Sequence, residues 1–439
     1  MSQVWSSKVT FAHGQLHLAG VPAKQLAEEF GTPTFFLDEA DFKARAATWG
    51  NALSASFGQN AGNVYYAGKA FLCIEVAKWI AQSGIGLDVC TGGELAVALA
   101  ADFPVSKIQV HGNNKSKAEI RKAVEVGVGT IVVDSLIEIE RIAAAAKLAH
   151  KVQKVLLRLT PGIEAHTHES IATAHEDVKF GFSISSGSAW EGVLATRKHP
   201  EIEICGFHGH IGSQILSMDA FAVAADRLIE FLAKYRDEFG VQLPELDLGG
   251  GYGIAYLPED QSLAPETVLP ALFDAVQNAC AKYKIDTPRI SIEPGRAIVG
   301  PAMFTLYEVG TTKEVVLESG ATRNYISVDG GMSDNIRPSL YGAEYTAVIA
   351  NRVSTSTVRS SRIVGKHCET GDIVIRDIAL PSDLAPGDLL AVPATGAYGR
   401  SMASNYNHVP RPPVVAVIDA KARVIVRRET EADLLGLDM

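Results

Sequence analysis

From about residue 60 to 300 the chain alternates short β-branched runs with longer stretches whose apolar residues recur every third or fourth position, and each run closes on glycine or a polar residue. The runs at 64–67, 85–89, 108–111, 130–133, 155–159, 204–210, 245–248 and 289–293 read as strands. The stretches between them, such as 73–82, 118–126 and 221–239, read as amphipathic helices. Strand and helix in regular succession predict parallel strands joined by crossovers, and eight such units over roughly 240 residues fit a closed (β/α)8 TIM barrel.

Past residue 305 the pattern changes. Strand-like segments at 325–328, 372–375, 389–392, 414–418 and 423–428 follow one another without long helices, separated by turn residues such as Asp329-Gly330-Gly331. This predicts a second, antiparallel β domain, a sandwich or barrel. Two more strand-like segments, 8–11 and 15–18, flank the turn His13-Gly14. A barrel does not need them, so the expected division is a barrel domain over 40–304 and a discontinuous β domain made of 1–39 and 305–439.

Composition narrows the class. A chain of 439 residues with 47% hydrophobic and 21% charged residues is an ordinary globular protein with room for two cores. The net charge of −10, with no dense basic stripe, argues against nucleic acid as a partner. No apolar run is long enough to span a bilayer and no leader pattern opens the chain, so a cytoplasmic location without membrane attachment is expected. The five cysteines, Cys73, Cys90, Cys205, Cys280 and Cys368, are widely spaced and odd in number, which argues against a disulfide framework or a zinc site. Four sit in apolar surroundings that predict burial, whereas Cys368 lies in the polar loop His367-Cys368-Glu369-Thr370-Gly371-Asp372.

Candidate chemistry gathers at the C-terminal ends of the predicted strands, where barrels of this type build their sites. Lys69 follows strand one and Asp88 ends strand two. His210-Ile211-Gly212-Ser213-Gln214 follows strand six, Gly249-Gly250-Gly251 strand seven and Glu293-Pro294-Gly295-Arg296 strand eight. A lysine held at a barrel mouth suits imine chemistry, although a lysine after a strand is commonly just solvated. The triple glycine reads as a tight turn needing φ > 0 or as a cradle of N–H groups for an anion, to which Ser213 adds a hydroxyl. Phosphate, an aldehyde for Lys69 and an electron-sink ring together describe pyridoxal 5'-phosphate. Glu293 is placed to keep the ring nitrogen protonated and the His210 imidazole to stack on the ring. His208 and His210 also read as a metal-ligand pair, but no further ligand accompanies them in the strand, and His166, His168 and His175 fall in a predicted loop; no metal is expected.

These segments, with Tyr65-Tyr66-Ala67-Gly68-Lys69-Ala70, Asp88-Val89-Cys90-Thr91-Gly92-Gly93-Glu94-Leu95, Asp329-Gly330-Gly331-Met332, Arg337-Pro338-Ser339-Leu340-Tyr341, Cys368-Glu369-Thr370-Gly371-Asp372 and Gly396-Ala397-Tyr398, resemble the fold-type III PLP-dependent decarboxylases over roughly residues 20 to 430. The resemblance implies that Lys69 carries the cofactor covalently and that Gly251 and the segment from Glu293 through Pro294 and Gly295 to Arg296 bind it. It further implies that Arg296, Arg337, Tyr341 and Glu369 bind substrate, that Cys368 donates a proton, and that Tyr398 touches both cofactor and substrate. It implies a homodimer in which the Cys368 loop serves the partner's Lys69. Two positions depart from the pattern: Gly209 stands where the family often has Cys, and Thr370 where it often has Ser.

Two arginines with one glutamate suit a substrate whose distal end is a whole amino acid, because arginine grips carboxylate in a planar fork and a carboxylate accepts ammonium. That points to meso-2,6-diaminopimelate, with loss of CO2 giving L-lysine, the last step of lysine biosynthesis. An ornithine or arginine decarboxylase, an amino-acid racemase and an inactive regulatory homologue are the competing readings.

Overall fold

The computed structural model describes residues 3–59, 61–162 and 179–439. His166, His168 and His175 lie outside the described residues. The chain divides into two compact units, one of Arg45–Gly253 with Leu263–Arg296, the other of Met1–Ala44 with Ile254–Ser262 and Ala297–Met439.

The first unit is built on eight strands: β1 (Gly62–Ala67), β2 (Gly86–Val89), β3 (Ile108–Val110), β4 (Thr130–Val133), β5 (Gln153–Thr160), β6 (Ile202–Gly209), β7 (Glu245–Asp247) and β8 (Arg289–Ile292). Each pairs in parallel with the next. β8 returns to β1 in the register Ile290 to Gly62, Ser291 to Asn63 and Ile292 to Val64, which closes the barrel. All eight segments predicted from the pattern are found. They were visible because barrel strands are covered on both faces and read as unbroken apolar runs; every residue of β4 and all of β5 except Lys154 is buried.

The crossover helices carry their own start and stop signals. Lys117–Val126 begins at a reciprocal Ser116/Glu119 cap and ends where Gly127 turns left-handed at φ 80°. Asp219–Phe239 buries a face that includes Phe221, Leu228, Phe231 and Tyr235. Against it β6 sets Phe207, whose ring meets Phe231 edge-on at 4.9 Å and Tyr235 at 6.1 Å.

In the second unit the 14-residue strand Met303–Val316 is the spine. It pairs antiparallel with Thr34–Asp38, Leu389–Val392 and Thr322–Val328. Two pairings depart from the antiparallel expectation: Thr34–Asp38 runs parallel to Val414–Ile418, and Thr322–Val328 parallel to Val358–Val364. The N-terminal hairpin Val9–Ala12 and Gln15–Leu18 packs Leu16 and Leu18 into a core shared with Trp5, Phe36 and Phe304. Of the cysteines expected to be buried, Cys205 and Cys280 are, but Cys73 and Cys90 are half-buried. Cys73 caps a helix start and Cys90 follows the last residue of β2, so each sits at an element's end rather than within its apolar face. Among the described residues no helix is long and apolar enough to cross a membrane.

Phe207 is fully buried between strand and helix. Phe207→Ala should therefore lower unfolding stability by about 3–5 kcal/mol, the usual cost of emptying an aromatic core site, read from the urea midpoint at unchanged slope.

Candidate active site

Lys69 lies in the single turn Gly68–Ala70 that follows β1. It is exposed, while both neighbours are buried. Gly68 must be glycine, since a Cβ there would stand 2.8 Å from the Asp88 carbonyl oxygen. The turn therefore lies tight against the end of β2, and the lysine's charge is felt by buried Asp88 and by half-buried Cys90, Glu94 and His210.

Inside the barrel, Glu293 is 5% exposed at the end of β8. Its Oε1 lies 2.9 Å from His111 Nε2 and 3.3 Å from His208 Nε2, and accepts a hydrogen bond from Gln109 Nε2 at 3.1 Å. Burial alone would raise this carboxyl's pKa, but His111 and His208 outweigh it and hold the pKa well below the ordinary range. Two neighbouring acids go the other way. Burial pushes Asp88 up to about 7 against the pull of His111, and burial with the charge of Glu293 pushes Asp247 well above its usual value. Burial drops His208 to about 4. The barrel centre thus holds one firmly ionised carboxylate.

The loops after β6, β7 and β8 are locked together through main chain. Gly249 and Gly251 take φ of 69° and 114°, conformations that favour glycine. A Cβ on Gly250 would come within 2.2 Å of the Glu293 carbonyl oxygen, and one on Gly251 within 2.4 Å of that of Gly212. Glu293 N–H in turn donates to Gly249 O at 2.9 Å. Gly295 backs onto β1, where a Cβ would meet Ala67 at 2.8 Å, with Pro294 and Arg296 buried on either side. Arg296 Nη2 donates to Ser213 Oγ at 2.9 Å, so the arginine and the hydroxyl proposed for an anion are neighbours. His210 Nδ1 accepts the Gly250 N–H at 3.3 Å. Burial first, then Lys69, holds this imidazole neutral with its pKa well below the usual value. The two histidines weighed as a metal pair therefore part: His210 turns to the glycine loop, while His208 joins His111 and Glu293, whose ligand atoms all lie within 4.8 Å of one another.

These groups fit a phosphorylated pyridoxal: a lysine at the mouth, a glycine cradle with Ser213 and Arg296 beside it, a neutral imidazole face and an ionised carboxylate. A separate cavity of about 640 Å³ opens at the opposite ends of the strands, lined by Gly62, Gly86, Gly129, Lys154, Glu245 and Arg289. None of the predicted site residues lines it.

The remaining predicted residues belong to the second unit. Arg337, buried at the start of the helix Arg337–Tyr341, sets its guanidinium 4.5 Å from the Tyr256 ring centre and 5.5 Å from that of Tyr345, and donates to the Tyr345 hydroxyl. Burial would lower its pKa; Tyr345, Tyr256 and Tyr398 together raise it. Among the described residues it is paired with no carboxylate. Tyr341 and Tyr398 are half-buried, the latter at φ 61°.

Cys368 and Glu369 are exposed on a loop anchored on both sides of them. Asp372 accepts from Met332 N–H at 2.6 Å and from His367 N–H at 2.7 Å. A Cβ on Gly331 or Gly365 would strike the same carboxylate, at 2.4 and 2.3 Å. The His367 ring lies 2.8 Å from Ser333 Oγ and 3.1 Å from Asn407 Oδ1. Glu369 Oε1 accepts from Gly371 N–H and Thr370 Oγ1, each at 3.2 Å. Thr370 keeps the hydroxyl of a serine at that place. The other departure from the family pattern is filled by a leucine: a Cβ on Gly209 would stand 2.6 Å from Leu228 Cδ1.

Sequence reasoning missed His111, Gln109 and Asp247. The first two share β3 and its C-terminal edge, two residues apart and so on one face of the strand, a signal of a polar patch inside the barrel.

A closed parallel barrel with a lysine at its mouth and a buried carboxylate packed beside a glycine cradle fits a pyridoxal-dependent enzyme. Residues 39–300 match the family model for the pyridoxal-dependent decarboxylase, pyridoxal binding domain, and the chain belongs to this family. Its cofactor is PLP. The chain is 52% identical to diaminopimelate decarboxylase of Mycobacterium tuberculosis, covering 99% of this chain and 98% of that protein. It is 44% identical to diaminopimelate decarboxylase of Bacillus subtilis, covering 97% and 96%. A crystal structure of diaminopimelate decarboxylase from M. jannaschii in complex with L-lysine superposes with a TM-score of 0.90 at 31% identity, covering 99% and 98%.

Gly250→Ala places a methyl group against the Glu293 main chain, where neither backbone has room to yield. The variant should lose PLP affinity by about tenfold or more while retaining Lys69 and Glu293, measured by titrating the apoprotein with PLP and following the absorbance of the bound form.

Proposed function

We propose that this enzyme decarboxylates meso-2,6-diaminopimelate to L-lysine and CO2. The observation that carries the choice of substrate is Arg337, a buried guanidinium fixed between two tyrosines with no carboxylate among the described residues to neutralise it. A substrate with a distal carboxylate supplies that partner; ornithine and arginine do not. The relatives named above act, by their names, on diaminopimelate.

In this reading Lys69 binds PLP, which when bound supplies the ring that accepts the electron pair left by CO2. Glu293 keeps the ring nitrogen protonated, His210 stacks on the ring face, and Gly249, Gly250, Gly251, Ser213, Pro294, Gly295 and Arg296 hold the phosphate corner. Asp88 closes the lysine side. Arg296 and Arg337 grip substrate carboxylate, Glu369 accepts the distal ammonium, and Tyr341 and Tyr398 complete the pocket. Cys368 delivers the proton that replaces CO2. The enzyme is a cytoplasmic homodimer in this proposal, with Cys368 and Glu369 of one chain serving Lys69 of the other. Anchoring of that loop through Asp372 supports it, because a loop held on both flanks presents its thiol and carboxylate in a fixed pose.

The test is CO2 release from meso-diaminopimelate against ornithine and arginine. Release from the first alone is expected, and preference for either of the others overturns the substrate. Arg337→Lys keeps the charge but loses the fork, so kcat/KM for diaminopimelate should fall by about tenfold or more, chiefly through KM. Sharing across a dimer has its own check. Mixed Lys69→Ala and Cys368→Ala subunits should regain about half the activity per dimer, since one of two sites is intact by the geometry of a two-fold interface. No regain in confirmed heterodimers places each site within one chain.

A further inference from the structure

Glu293 has two oxygens in unequal surroundings. Oε1 faces three nitrogens, from Gln109, His111 and His208, whereas among the described residues Oε2 meets only His208, at 3.4 Å. The hydrogens on these nitrogens can be assigned. Gln109 Nε2 carries two, and it has two carboxylate partners, Asp247 Oδ2 at 2.8 Å and Glu293 Oε1 at 3.1 Å. Both hydrogens are thereby used. His111 Nε2, only 3.0 Å from the same amide nitrogen, receives none from it and must bring its own hydrogen to Glu293 Oε1 at 2.9 Å. The opposite amide orientation would turn the Gln109 oxygen onto the ionised Glu293 carboxylate at 3.1 Å, so the assignment is fixed by that acid.

We propose that His111 and Gln109 are positioning residues for the cofactor: two donors from β3 pin Oε1 of Glu293 across the barrel and turn Oε2 out as the oxygen offered to the ring nitrogen. The assignment rests on the reading that Glu293 faces that nitrogen. Neither residue touches the reacting atoms; each acts through the carboxylate. Outer partners of this kind are worth on the order of ten- to a hundredfold where they orient the ligands of a bound metal, and the same logic holds for a carboxylate that must stay ionised and aimed. His111 itself is held in place, its ring edge-on to His208 at 5.0 Å and its Nε2 3.7 Å from Asp88 Oδ1.

The test reads the ring nitrogen directly. Wild type, Glu293→Gln, His111→Leu and His111→Gln are loaded with nitrogen-15-labelled PLP and compared by the nitrogen chemical shift and by turnover. Glu293→Gln should show a neutral ring nitrogen. His111→Leu, which removes the donor, should move the shift toward the neutral value and lower kcat by about ten- to a hundredfold with KM little changed. His111→Gln, which restores an N–H without a titratable ring, should recover the wild-type shift and most of kcat. A merely structural histidine would not give that split. If His111→Leu does not fold, Gln109→Leu must show the same displacement. A wild-type shift in His111→Leu, or in Gln109→Leu where that variant stands in, overturns the proposal when Glu293→Gln is neutral. A wild-type shift in Glu293→Gln itself instead overturns the reading of Glu293.

Discussion

The electrostatics of this barrel turn on one carboxylate that stays ionised although it is almost wholly buried. A buried acid left to itself takes up a proton, because the charged form loses its hydration and gains nothing in return. Asp88, Asp247 and Glu293 are comparably buried, yet only Glu293 is driven below its normal pKa. The difference lies in what faces each acid. Asp247 meets N–H groups from Gln109 and Gly249, both neutral, while Glu293 meets the same amide, His208 and, closest, His111, whose pKa burial would lower but Asp88 and Glu293 raise. A charge placed on Glu293 also penalises charge on the other two. One firmly ionised acid is therefore the consequence of donor placement, not of acid content, and the raised pKa values of the other two follow in part from it.

Main-chain packing makes that placement rigid. The glycine loop and the Glu293 strand end share a hydrogen bond and leave no room for a side chain between them, and Gly295 presses the next turn onto the end of β1 beside Lys69. Lys69 and Glu293, the two groups proposed to hold the cofactor, thus stand on elements tied through backbone rather than through flexible side chains. Sites carried on strand ends hold their geometry better than sites on free loops, and here the loops too are packed main chain to main chain.

What the sequence made legible follows from the same geometry. The eight barrel strands could be read because two-sided burial writes an unbroken apolar run, and Lys69, His210, the triple glycine and Glu293 because each stands where such a run stops. The spacing of Gln109 and His111 marks only a polar face on one strand; what they and Asp247 do lies in meeting across the closed barrel, between strands far apart in sequence, which no local pattern reports. Each taken singly is an ordinary polar residue in a strand. The spine Met303–Val316 was passed over for a related reason: its first five residues are buried and most of the rest are exposed, so it has neither a continuous run nor a clean alternation. The two parallel pairings of the second unit join segments such as Thr34–Asp38 and Val414–Ile418 from opposite ends of the chain, where no local pattern reports the direction of a partner. Cys73 and Cys90 were assigned to apolar surroundings correctly in kind, but their positions at element ends leave them half open.

Arg337 shows how specificity can be written as a cost. A guanidinium taken out of water loses hydration that two tyrosine faces and one hydroxyl only partly replace, and among the described residues no carboxylate neutralises it. A ligand that brings a carboxylate relieves this, and a ligand ending in a bare ammonium adds a second positive charge to the first. In the role proposed for Arg337, discrimination needs no steric exclusion of the shorter or simpler diamino acid: the same residue would attract one substrate and repel the other. The tyrosines sharpen the effect, because they hold the plane of the fork, so that a carboxylate arriving in the right orientation finds both N–H donors aligned and one arriving otherwise finds neither.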